Sequence, residues 1–132
     1  MNKKIIGLMS AAVLLLMGIV LFFIVDNQSV FTGSRVKNPD SYTLEFTQMN
    51  QTDSHVISLS EGDTLSVDFA IDRGRADLII GIDGEKPIYT GNDIKSGAFF
   101  LNIPVAGQYR ITVKAKDAAG YVSVLLSNDA GK

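Results

Sequence analysis

The side chains of this 132-residue chain best able to do chemistry are carboxylates near its middle: Asp68, Asp72, Asp77, Asp83, Glu85 and Asp93. A Ca²⁺ ion needs several hard oxygens converging from one or two loops. Asp83-Gly84-Glu85 in one loop and Asn92-Asp93 in the next supply such oxygens, provided the two loops meet at one end of the domain. No D-x-D-x-D-G loop is present, and Asp, Asn and Gly are equally the ordinary residues of turns. Asp83, Glu85, Asn92 and Asp93 are therefore weak Ca²⁺ candidates, and no other metal ligand or cofactor is expected. The same carboxylates could pair as a glycosidase acid and base, but nothing in their spacing selects that chemistry.

His55 is the only histidine. It shares a strand face with Ile57 and Leu59, so a half-buried or edge position accounts for it. A nucleophilic triad needs a positioned serine beside such a histidine, and no G-x-S-x-G or equivalent occurs. Cysteine is absent, which removes disulfides, thiolate metal sites, a cysteine nucleophile and lipidation at a cysteine. A secreted eukaryotic domain of this size more often carries disulfides, so a bacterial source fits better. With no catalytic residue identifiable, the expectation is a protein that is not an enzyme.

Most aromatic side chains fall on apolar strand faces. Phe100 is the exception, because it opposes Phe99 and Leu101 across its strand. An outward-facing Phe100 would mark a possible contact surface, and a fully buried strand would account for it equally well. Beyond Lys3 and Lys4 the chain carries ten basic and fourteen acidic residues. That weakly acidic balance argues against nucleic acid, whose phosphates demand a concentrated basic surface, and against electrostatic docking on anionic lipid.

The elements that would hold these side chains are strands. Tyr42, Leu44 and Phe46 alternate with polar residues, as do His55, Ile57 and Leu59. Leu65, Val67, Phe69 and Ile71 alternate most regularly of all. Further runs follow at 76–82, 88–89, 99–103, 109–116 and 122–126, each bounded by Gly, Asp, Asn or Pro. Gln48 to Asp53, Arg73-Gly74-Arg75 and Asp117 to Gly120 read as turns between them. The pattern is all-β: an antiparallel β-sandwich or jelly-roll-like domain of about eight strands over residues 41–127, with a polar tail at 128–132.

Three motifs within this domain resemble those of bacterial pre-peptidase C-terminal domains. Leu59-Ser60-Glu61-Gly62-Asp63-Thr64-Leu65-Ser66-Val67 is similar to their "L-x-x-G-D-x-L-x-V" opening. Arg75-Ala76-Asp77-Leu78-Ile79-Ile80 resembles their "A-D-L" strand, and Pro104 to Val113 their "a-G-x-Y" hairpin. The resemblance covers Val56 to Leu126. It implies a jelly-roll-like sandwich without catalysis of its own, accompanying secreted enzymes or standing as an accessory module. Some relatives in that family bind polymers such as collagen or chitin.

Ahead of the domain, Ile5 to Val25 holds twenty-one residues without a charge, among them Leu14 at its centre. At 1.5 Å per helical residue the stretch would reach about 30 Å, the thickness of a bilayer's hydrocarbon core. Lys3 and Lys4 precede it within a basic leader, residues 1–4, and no A-x-A-like pair follows it. The expectation is a retained, single-pass anchor helix in the lipid bilayer, with a cytoplasmic N-terminus and an extracytoplasmic domain. Residues 26–40, DNQSVFTGSRVKNPD, show no period and read as a flexible linker. The functional expectation is a membrane-tethered interaction or accessory module for a protein or envelope polymer. The alternative is a small carbohydrate- or calcium-binding module at the cell surface.

Overall fold

The strands form where period-two patterning lets one face be buried, and three of them run much further than the patterning alone indicates. The computed structural model describes residues 28–127. The leader, the proposed anchor with Ile5, Leu14 and Val25, and the tail at 128–132 lie outside those residues. Six strands are present: β1 (Val30–Asn38), β2 (Ser41–Leu59), β3 (Thr64–Ile82), β4 (Tyr89–Gly91), β5 (Ser96–Asn102) and β6 (Gly107–Ser127). All pairings are antiparallel, in one sheet of order β1-β2-β6-β3-β4, with β5 also paired to β3.

The expected count of eight strands is therefore corrected to six. β2, β3 and β6 have 19, 19 and 21 residues. Each passes through a stretch that reads in sequence as a turn: Gln48 to Asp53, Arg73 to Arg75, and Asp117 to Gly120. At these places the register slips, between Phe46 and Gln51 on β2 and between Ile71 and Arg75 on β3, both opposite residues 115–120 of β6. Bulges increase local twist and bend a strand. Three neighbouring strands bulging at one level fold the whole sheet over.

The fold-over makes two layers. The first contains β1, residues 41–46 of β2, 120–127 of β6, 64–71 of β3, and β5; the second contains the other arms of β2, β6 and β3, with β4. No helix lies among the described residues, so the apolar face of the sheet covers itself. Tyr42, Leu44, Leu65, Val122 and Val124 of the first layer are fully buried, as are Ile57, Leu78, Ile80, Ile111 and Val113 of the second. Tyr89 of β4 packs against Phe99 of β5 with the rings tilted and 4.9 Å between centroids, tying the layers together on one side.

The stretch expected to be a flexible linker is also corrected, because most of it is β1. This strand pairs with β2 from Val30 opposite Asn50 to Asn38 opposite Ser41. Seven of its nine residues are exposed, so burial imposes no alternation for a sequence reading to detect. Backbone pairing to β2 defines the strand.

The bend depends on backbone that only glycine supplies. Gly74 has φ +75°, and a Cβ there would sit 2.1 Å from the carbonyl oxygen of Asp117 on the adjacent strand. Gly84 has a similar φ of +82° in an open turn, with nothing within 4 Å of a Cβ. Gly84→Ala should therefore cost only the left-handed backbone penalty, about 1–2 kcal/mol. Gly74→Ala adds a backbone collision and should cost at least about 3 kcal/mol. Urea denaturation of the two variants checks this; equal losses would show that the bend tolerates a side chain.

Candidate functional site

The outer face of the first layer is built from alternate residues of five strands, and register fixes its rows. Phe100 of β5 lies opposite Ser66 of β3, Ser66 opposite Leu125 of β6, and Leu125 opposite Ser41 of β2. The next row runs Ala98, Asp68, Ser123, Thr43 and Val36. The third runs Ser96, Ala70, Tyr121, Glu45 and Ser34. Phe100 is 65% exposed, Val36 44% and Leu125 42%. Small residues surround them, so the apolar side chains stand above a flat surface.

Towards the bend this face deepens into an open groove of about 800 Å³, bordered by Glu45, Asp72, Arg73 and Tyr121. Arg73 Nη2 donates to the Thr47 carbonyl at 2.8 Å, reaching across β6. The Tyr121 hydroxyl donates to the Asp68 carboxylate at 2.9 Å. That hydrogen bond, ahead of burial and carboxylate charge, raises the Tyr121 pKa. The arrangement can hold a partner by apolar contact at one end and by polar contact at the other.

The densest set of titratable groups lies on the β1–β2 side. The Asp53 carboxylate accepts from the Tyr42 hydroxyl and lies 3.4 Å from both Lys37 Nζ and Arg35 Nε. The His55 ring packs on Tyr42 at 5.6 Å, and its Nε2 sits 2.6 Å from the Asn38 carbonyl oxygen. His55 thus occupies the half-buried edge position expected from its alternation. Because Tyr42 belongs to the first arm of β2 and Asp53 to the second, the cluster fastens the two layers along their open side. Sequence reading missed it, since Arg35 and Lys37 fell within the supposed linker and Asp53 within a supposed loop.

The structure does not bring the four Ca²⁺ candidates together. Asp83 and Glu85 lie in the turn after β3, where Asp83 takes a bidentate contact from Arg110 at 2.9–3.2 Å. The hydrogen bond from Arg110 lowers the Asp83 pKa. Asn92 and Asp93 lie in the β4–β5 loop beside the bend, where the Asp93 N–H donates to the Asp77 carboxylate at 2.7 Å. Asp77 and Asp83 are six residue steps apart along and just past β3, about 20 Å at strand rise. Among the described residues, no group of three or more His, Cys, Asp or Glu side chains converges as a metal site. Phe100 faces outward at 65% exposure; Leu125 and Val36, which share that face further across the strands, were not singled out. Leu125 was legible as the residue opposing Val124 and Leu126; Val36 was hidden in the supposed linker.

No protein-family model matches the chain, and no curated protein matches it by sequence. Solved structures give weak likenesses. A periplasmic inhibitor of g-type lysozyme from Aeromonas hydrophila aligns at a TM-score of 0.46 and 15% identity, covering 67% of this chain and 87% of that one. A mutant of such an inhibitor from Escherichia coli aligns at 0.39 and 14%, covering 74% and 89%. A family two carbohydrate esterase from Cellvibrio japonicus aligns at 0.36 and 16%, covering 76% and 31%. At these scores the likenesses carry no inference about activity or partner. Among the described residues no helix is long and apolar enough to cross a membrane.

Burial, then the adjacent Asp53 carboxylate, push the Tyr42 pKa far above its ordinary value of 10.0. Above pH 10 the unfolded chain ionises this phenol while the folded chain keeps its proton. The folded state then holds more protons, so stability falls as pH rises past about 10. One such group contributes a slope approaching about 1.4 kcal/mol per pH unit. Tyr42→Phe should remove that slope, at a cost near neutral pH of about 1 kcal/mol for the lost hydrogen bond. Parallel urea midpoints from pH 9 to pH 11.5 would reveal an unshifted Tyr42 as no difference in slope between the two proteins.

Proposed function

We propose that this chain is a non-catalytic binding module, held outside the cytoplasm by its N-terminal apolar segment, that presents the outer face of its first layer to a protein or envelope polymer. One observation carries the reading. Of four large hydrophobic side chains exposed among the described residues, Phe100, Leu125 and Val36 share that face, with Val105 elsewhere. Isolated exposed apolar residues need no explanation; what singles out this face is that three of the four lie on it, spaced across its strands. The extracytoplasmic placement is supported by the charge-free stretch from Ile5 to Val25 behind Lys3 and Lys4.

The test is capture from native-host membranes with full-length protein and the double variant Phe100→Asp, Leu125→Asp. Both side chains are solvent-facing, so the variant should stay within about 1 kcal/mol of the parent in stability. A partner retained by the parent and lost by the folded variant supports the face. Equal recovery by both would remove it from consideration. N-terminal sequencing of the mature protein checks the tether, with an intact start expected and a start near residue 26–30 indicating a cleaved signal. Because the acidic loops lie apart, Ca²⁺ to millimolar levels is expected to leave the melting temperature unchanged, as a ligand of the folded state would raise it.

A further inference from the structure

The fold-over gathers cations that the overall composition hides. On the outer face of the second layer, beside the bend, lies a groove of about 480 Å³ bordered by Arg75, Lys114 and Lys116, with Thr52 and Asp77. Arg75 and Lys116 are directly opposite each other on β3 and β6. Lys114 is two residues along the same face, opposite Asp77 on one side and Thr52 on the other. Like charges directly opposite across a sheet destabilise it, so packing gives no reason for this pair. Neither Lys114 nor Lys116 makes an ion pair among the described residues. Asp77, the one carboxylate in the groove, is occupied by the Asp93 N–H at 2.7 Å and by Arg75 at 3.6 Å. The groove therefore holds uncompensated positive charge on a domain that is acidic overall.

The position of this groove in the chain matters as much as its charge. Asn50 and Gln51 border it, and they hold the first described residues: Asn50 Nδ2 donates to the Gln28 carbonyl at 3.1 Å, and Ser29 Oγ donates to Gln51 Oε1 at 2.8 Å. Gln28 is three residues beyond Val25, the end of the charge-free stretch. Three residues reach at most about 10 Å. The turns at 39–40, 60–63 and 103–106 lie at the opposite end of the domain.

We infer that the bend end of the domain rests on the bilayer surface, with Arg75, Lys114 and Lys116 contacting the phosphates of anionic lipid headgroups. The inference rests on the anchor proposed above. The contact fixes which way the domain faces: the bend sits against lipid, while Phe100 and the turns at the other end point away from it. Cations within a Debye length of an anionic surface are each attracted by about fivefold in partitioning, and salt screens that attraction.

The test is hydrogen–deuterium exchange of the full-length chain reconstituted in vesicles of phosphatidylcholine alone or with one third phosphatidylglycerol. Segments 50–52, 74–77 and 113–117 should exchange several-fold more slowly in the anionic vesicles. Molar salt should abolish the difference, and Lys114→Gln with Lys116→Gln should remove most of it, about fivefold per charge. Equal exchange in both vesicles, or protection indifferent to the two lysines, overturns the contact. Protection produced in neutral vesicles by ten millimolar inorganic phosphate would assign the groove to free phosphate instead and also overturns it. Resistance of the neutral-vesicle sample to alkaline carbonate extraction reports the anchor separately. Extraction with anion-dependent protection retained would sink the anchor and leave the lipid contact standing.

Discussion

The structure depends on three adjacent strands changing direction at one level. A bulge in β2, β3 or β6 alone would break pairing with its neighbours. Together, opposite one another, the three keep the ladders continuous while the sheet folds onto itself. The geometry is tight: a Cβ at Gly120 would lie 2.1 Å from the Ala70 carbonyl oxygen, and one at Gly74 would lie 2.1 Å from that of Asp117. Backbones approach so closely there that glycine is required on steric grounds apart from its positive φ. The core follows from this constraint. With no helix among the described residues to cover it, a single sheet can bury Tyr42, Leu65 and Ile111 completely only against its own other half.

A sheet folded this way has one closed end and two open sides, and the side chains are distributed accordingly. One side is fastened by aromatic contact between Tyr89 and Phe99. The other is fastened by Asp53, which draws Tyr42, Arg35 and Lys37 to one carboxylate that is only 11% exposed. A buried carboxylate with opposite charges and a phenol donor satisfies its own hydrogen-bonding demand. Removing it would leave the Tyr42 hydroxyl unpartnered in the core, which costs more than the pair contributes when intact. The two outer faces are thereby left free for other roles.

Strand identity was legible in the sequence wherever one face is buried, and Leu65, Val67, Phe69 and Ile71 are the clearest case. Strand continuity was not. Gly74 flanked by two arginines, and Asp117 leading to Gly120, have the composition of turns, and residue types alone do not distinguish a hairpin from a bulge. The difference lies in what pairs across them, which is a property of the neighbouring strands. β1 was illegible for a related reason: an exposed edge strand has little to bury and so no periodic signature. The outward Phe100 was found because it broke an alternation. That Leu125 and Val36 share its face emerged only once register had aligned four strands beside it.

Net charge, likewise, is a property of the whole chain and not of either face. A surplus of acidic residues argues against anionic partners only if charge is spread evenly, and the fold does not spread it evenly. In the rows described for the first layer's outer face the charged side chains are Glu45 and Asp68, and no lysine or arginine occurs among them. Arg75, Lys114 and Lys116 all lie on the opposite outer face, beside the bend and beside Gln28. Field at a surface falls off within about 10 Å at moderate ionic strength, so each face interacts through its own charges and not through the sum. The two outer faces therefore differ in character: one is uncharged but for Glu45 and Asp68 in those rows and carries Phe100, Leu125 and Val36, and the other is basic near the first described residues.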